Sequence, residues 1–134
     1  AGLTALQIQQ GPGWRFGFDP SRPPYPVLIG GEGWASELRQ QEADALHQAA
    51  QRLCHQWLAI RDQLMPEEEI SLDTECGPLW AELDGTAAAV SLRFVLQPPA
   101  GERALEGRWS GPATEALIAV LAQTAQAEEW LGPA

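Results

Sequence analysis

Four kinds of side chain in this 134-residue chain could carry chemistry: two histidines, two cysteines, 18 carboxylates, and arginines set beside aromatics. His47 and His55 fall eight apart on a predicted helix, about 12 Å along its axis, so they cannot share one metal ion. Cys54 precedes His55 directly and points about 100° away from it. Cys76 belongs to a predicted strand, and no CxxC or HxxxH spacing links the four residues. No metal site and no cofactor are expected; the histidines are expected at the surface and the thiols inside. Cys54 beside Leu53 and Trp57 reads as a core thiol, which burial makes inert. Both cysteines are expected to be free. No GxSxG occurs, and Ser21, Ser36, Ser71, Ser91 and Ser110 sit in ordinary turn or strand contexts. Gly30-Gly31-Glu32-Gly33 joins two predicted strands with no Lys, Ser or Thr after it. It reads as a turn using positive φ, not as a phosphate cradle. Carboxylates paired as Asp73/Glu75 and Glu82/Asp84 could share a proton if one pKa were raised. Alternating along strands, they read instead as a solubilising face. No catalytic residue is expected, and the chain is not expected to be an enzyme.

Charge narrows the partners. The 18 acids face 8 bases, all Arg, for a formal net charge of −10. Nucleic-acid and anionic-membrane binders rely on basic patches, so both classes are disfavoured. The best alternative for single-stranded nucleic acid is Trp14, Arg15, Arg22 and Tyr25, with Arg108 and Trp109 as a second cluster. Strand parity suggests a different surface. Leu79, Ala81 and Leu83 must share one face, which puts Trp80, Glu82 and Asp84 on the other. Asp73, Glu75 and Arg93 on neighbouring strands join them there. A tryptophan among acids suits contact with a protein partner carrying Arg or Lys. The alternative is local core, with Trp80 covered by the N-terminal tail or by the 98–104 loop. A small-ligand cleft between sheet and helices is the third reading. No apolar run approaches the ~20 residues of a membrane span, and Ala1 to Gln10 does not read as a signal peptide. The expected compartment is the cytoplasm. The sequence does not set the oligomeric state.

The elements that must position these residues read as two similar halves in one domain. Residues 1–12 read as a tail. Trp14 to Phe18, Tyr25 to Ile29 and Trp34 to Leu38 alternate as strands. From Gln40 to Pro66 the period becomes helical, with Leu46, Ala50, Leu53, Trp57, Ile60 and Leu64 on one stripe. Asp44, His47, Gln48, Gln51, His55 and Asp62 take the opposite face. That completes a first half over 13–66. The second half, 67–131, has strands at 70–76, 79–83, 90–96 and 105–109, with Asp84-Gly85 as a hairpin signal. Pro112 then opens a helix striped by Ala113, Leu117, Val120, Leu121 and Thr124, closed by Gly132-Pro133. Trp57 reads as core, Trp14 and Trp34 line the first meander, and Trp130 lies near the C-terminus. No βαβ rhythm appears. The fold class is α+β: two antiparallel meander-plus-helix halves, their sheets folded around two helices.

Several segments carry a resemblance. These are Gly13-Trp14-Arg15, Asp19-Pro20-Ser21-Arg22, Pro26-Val27-Leu28-Ile29-Gly30-Gly31-Glu32-Gly33-Trp34-Ala35, Gly77-Pro78-Leu79-Trp80 and Leu92-Arg93-Phe94-Val95-Leu96-Gln97-Pro98. Over about residues 11–125 the chain resembles the small cyanobacterial domain-of-unknown-function family 1818. That resemblance implies a fold similar to the Whirly-type single-stranded-DNA-binding regulators, with tandem meander-plus-helix halves. It implies a cyanobacterial setting, no established activity and no catalytic residues. A non-enzymatic interaction module is the function expected.

Overall fold

The structure is a computed structural model that describes residues 7–97 and 101–128. Within them the chain forms two four-stranded antiparallel meanders, each followed by a helix. The first sheet runs β1 (Gln7–Gly11), β2 (Trp14–Phe18), β3 (Val27–Gly31) and β4 (Trp34–Leu38), paired in that order. Helix α1 (Gln40–Ile60) follows, and a 3-10 turn at Arg61–Gln63 ends it. The second sheet runs β5 (Ile70–Cys76), β6 (Leu79–Gly85), β7 (Val90–Leu96) and β8 (Leu105–Trp109), again in sequence order. Helix α2 (Pro112–Glu128) closes the described chain.

The helices trade places. Helix α1 follows the first sheet but packs mainly on β5 and β6, while α2 follows the second sheet and packs on β2 and α1. Leu46, Ala50, Leu53 and Trp57 of α1 are buried, as their 3.6-residue stripe requires. Phe16 and Ile29 of the first sheet join Leu79 and Phe94 of the second in one apolar cluster. The crossover makes one core from two halves, each of which has an apolar sheet face it cannot cover alone.

The sheets also touch directly, between β3 and β8. The Trp109 Nε1–H donates to the Gly30 carbonyl at 2.8 Å. Trp34 packs on Trp109 and Phe94, with ring centroids 5.2 and 6.1 Å apart. Gly31 and Gly107 allow this approach, because a Cβ at either would run into the Trp34 indole.

Several expectations need correction. The stretch expected as tail contains β1, whose residues Gln7 to Gly11 pair with Phe18 to Trp14. The first half therefore has four strands. Pro12-Gly13, with Gly13 at φ 77°, is the turn of a hairpin that the tail reading overlooked. Tyr25 lies before β3, which begins at Val27. Helix α1 ends at Ile60, so Leu64 is beyond it. His47 is buried, because α1 is covered by the second sheet on one side and touches α2 on another. His55 is exposed as expected. Asp84-Gly85 belongs to the end of β6. The turn is Thr86 to Ala89, whose end residues exchange backbone hydrogen bonds of 3.0 and 3.2 Å. Gly30 and Gly31 are strand residues, and only Gly33 of that group has a positive φ, 81°. Trp34 packs across to the second sheet instead of lining the first alone. Trp130, Gly132 and Pro133 lie outside the described residues.

Candidate functional site

The outer face of the second sheet is built by register. Asp73 stands opposite Glu82, Glu82 opposite Arg93, and Arg93 opposite Arg108. In the adjoining row Glu75 faces Trp80, Trp80 faces Val95, and Val95 faces Glu106. Ser71, Asp84 and Ser91 form a third row. The inward partners Leu79, Ala81, Leu83, Leu92 and Phe94 are buried, so side-chain parity turns these rows to solvent. All six expected contact residues (Trp80, Asp73, Glu75, Glu82, Asp84 and Arg93) thus share one surface.

Trp80 is half-buried on this surface and is held by its own sheet. Its Nε1–H donates to Asp73 Oδ2 at 2.9 Å. The Arg93 guanidinium lies over the ring, 5.2 Å from its centroid, a cation–π contact. Glu106 holds Arg93 through Oε2, which accepts from Nη2 at 3.0 Å and Nε at 3.3 Å. Ser71 donates its hydroxyl to Glu82 at 2.8 Å, and Arg108 approaches Asp84 at 3.7 Å. Charge on the face is therefore uneven. The β7–β8 side is ion-paired, and one of its arginines reaches back to Asp84. Asp73, Glu75 and Glu82, on the β5–β6 side, have no cation partner among the described residues. Of the segments expected to cover Trp80, residues 7–11 of the tail pair with β2 in the first sheet and Arg103 of the 98–104 loop lies over Tyr25; residues 1–6 and 98–100 lie outside the described residues.

The alternative nucleic-acid candidates do not converge. Trp109 is buried in the sheet junction, so it offers no ring for a base to stack on; this corrects its placement as a surface residue. Arg108 is exposed on the second sheet beside Asp84. Arg22 is exposed and lies 3.7 Å from Glu37. Arg15 is exposed and Trp14 half-buried, both on β2.

Tyr25 belongs to a cluster that sequence reasoning missed. Arg39 and Arg103 both sit over its ring, 5.8 and 4.5 Å from the centroid. Arg103 Nη2 and Nη1 donate to the buried Glu42 carboxylate at 2.6 and 3.2 Å, and Nη2 also to the Glu37 carbonyl at 2.8 Å. Arg39 pairs with Glu102. Glu42 is the third residue of α1 and accepts the Arg39 backbone N–H at 2.8 Å, the return half of a capping box. The cluster straps residues 102–103 and the 19–26 loop to the start of α1, and its arginines are matched by acids. Nearby, the Ser21 hydroxyl and then its backbone N–H hold Asp19 below the usual carboxylate range.

Both thiols are free; Cys76 is buried, but Cys54, expected inside, is only partly buried and lines a groove between the helices. Burial first, and Glu115 second, push the Cys54 thiol up, which disfavours the reactive thiolate. No group of three His, Cys, Asp or Glu among the described residues could hold a metal. A hollow of about 480 Å³ opens at the sheet junction between Trp34, Glu32, Arg108 and the start of α2. Its rim carries one acid and one base. No helix among the described residues is long and apolar enough to cross a membrane.

The domain-of-unknown-function family 1818 matches residues 9–124. The chain belongs to that family. A crystal structure from Prochlorococcus sp. NATL2A, of a protein with unknown function ascribed to the DUF155 family, is similar in fold and sequence. It is 34% identical, with a TM-score of 0.84, and the match covers 89% of this chain and 98% of that one. No curated protein matches. The family and this relative agree with the α+β architecture and bring no activity with them.

Proposed function

We propose that this DUF1818 protein is a non-enzymatic contact module of the cytoplasm, and that it meets an Arg- or Lys-bearing protein through the outer face of its second sheet. The observation that carries this reading is the unmatched charge beside Trp80. Asp73, Glu75 and Glu82 stand without a cation around a half-exposed indole, while the other side of the face is ion-paired. A basic side chain arriving there gains three carboxylates beside an indole that Arg93 already overlies. The cytoplasmic setting is supported by the two free thiols.

The test compares wild type with Trp80→Ala and with the pair Asp73→Asn, Glu75→Gln as baits in a cyanobacterial lysate. Trp80→Ala is expected to lower the melting temperature by only a few degrees, since about 1 kcal/mol of ring contact is lost. Recovery of the partner should disappear for both baits. A large loss of stability with partner recovery intact would assign Trp80 to packing and end the proposal.

A further inference from the structure

Acid is sparse along the two helices of this molecule. Of the 18 carboxylates, none lies between Asp44 and Asp62, and only Glu115 lies between Gly111 and Glu128. Those stretches are most of α1 and α2, and the first of them carries Arg52 and Arg61. The two helices lie against one another, and an apolar groove of about 230 Å³ runs between them. Cys54 and Leu58 line it from α1, Arg61 from the 3-10 turn that follows, and Glu115 and Ile118 from α2. Leu58 is 64% exposed at its edge, although it is a large apolar residue on a well-packed helix. Arg61 and Glu115 stand on opposite walls, and among the described residues neither joins an ion pair within its own chain.

We propose that the α1–α2 face docks a second copy of this chain, with Leu58 of each copy entering the groove of the other and Arg61 of each pairing with Glu115 of the other. The charge distribution selects this occupant. Two copies at −10 repel wherever acid meets acid, and the sheet faces and the Glu67-Glu68-Glu69 loop are such places. The helical face is nearly neutral and holds one base and one acid across a groove. A two-fold axis brings each base opposite the other copy's acid, so the patch is complementary to itself. The same axis sets the exposed Leu58 against a groove lined by apolar atoms, which removes both from water. This surface lies on the helix side of the second sheet, opposite the Trp80 face, so the contact leaves the proposed partner site open and either reading can fail alone.

Sedimentation equilibrium with a charge swap tests this. Wild type should sediment at twice the monomer mass. Arg61→Glu alone and Glu115→Arg alone each place like charges across the interface and should weaken dimerisation about tenfold or more. The combined Arg61→Glu, Glu115→Arg variant should return most of that loss. Leu58→Gln should also dissociate the dimer, and circular dichroism melts will show each variant folded, because all three side chains are at the surface. A wild type that stays monomeric at about 100 µM overturns the proposal, since a weaker contact would not hold at cellular concentrations. So does a dimer indifferent to all these changes, or a double variant no better than the singles.

Discussion

His47 is held in the interior as an imidazole that resists protonation. Burial penalises its charged form and pulls its pKa below the ordinary value of about 6.5. The unfolded chain then binds a proton that the fold refuses, in the window between the lowered pKa and 6.5. Stability from this residue is present above pH 6.5 and is lost as pH falls through that window. Urea midpoints of wild type and His47→Gln at pH 7.5 and 5.0 test this. Wild type should lose more stability on acidification than the variant, and equal losses would mean that the imidazole takes up its proton in the fold. The burial of His47 is not legible in the sequence, because the apolar stripe marks only one of the buried faces of α1. A helix touched by both a sheet and a second helix buries more than one stripe, and nothing local announces the second contact. Trp109 is different, because the signal was present. Leu105, Gly107 and Trp109 share a parity that Glu106 and Arg108 oppose, the same rule that placed Trp80 outward.

At the scale of elements, the start of α1 depends on residues 61 and 63 positions away. Glu42 caps the helix by accepting the Arg39 N–H, and it is buried, so its charge needs the Arg103 fork. Arg103→Ala strands a carboxylate among poor partners and should cost about 1–3 kcal/mol in urea unfolding. Glu42→Gln keeps an oxygen for the cap and removes the stranded charge, so adding it to Arg103→Ala should recover part of the loss. A double variant weaker than Arg103→Ala alone would contradict this account of the pair. The strand–strand–strand–strand–helix order was legible wherever alternation was strong, as in β5 to β8. It failed at β1, where Gln7-Ile8-Gln9-Gln10 has one apolar residue and no alternation to read. The Tyr25 cluster was illegible for a related reason. Its members come from three separated segments, and only the folded chain brings Arg39 and Arg103 over one ring.

Across the whole molecule, charge and fold are arranged together: acids dominate the loops and the outer sheet, and the helices carry one acid over most of their length. The acids of the outer sheet were legible from strand parity, whereas the placing of the acid-poor helix α1 on the opposite side of that sheet needed the fold. The net charge of −10 has a consequence for stability. Like charges are closer together in the fold than in the unfolded chain, so net self-repulsion opposes compaction. The ion pairs Arg22–Glu37, Arg93–Glu106 and Arg108–Asp84 act in the other direction, but they are exposed and each is worth about 0–1 kcal/mol. Sodium chloride screens both terms, and at neutral pH the surplus of acids makes the repulsive term the larger. Raising salt from about 0.05 to about 0.5 M, which shortens the screening length severalfold, should therefore raise the melting temperature at pH 7. Near the sequence pI of about 4.4 the net charge vanishes, and the surplus that salt screens vanishes with it. The salt effect there should be absent or reversed, because only attractive pairs remain to be screened. A melting temperature that falls with salt at pH 7 would mean that the ion pairs, and with them the Arg103–Glu42 strap, outweigh the repulsion of the acidic faces.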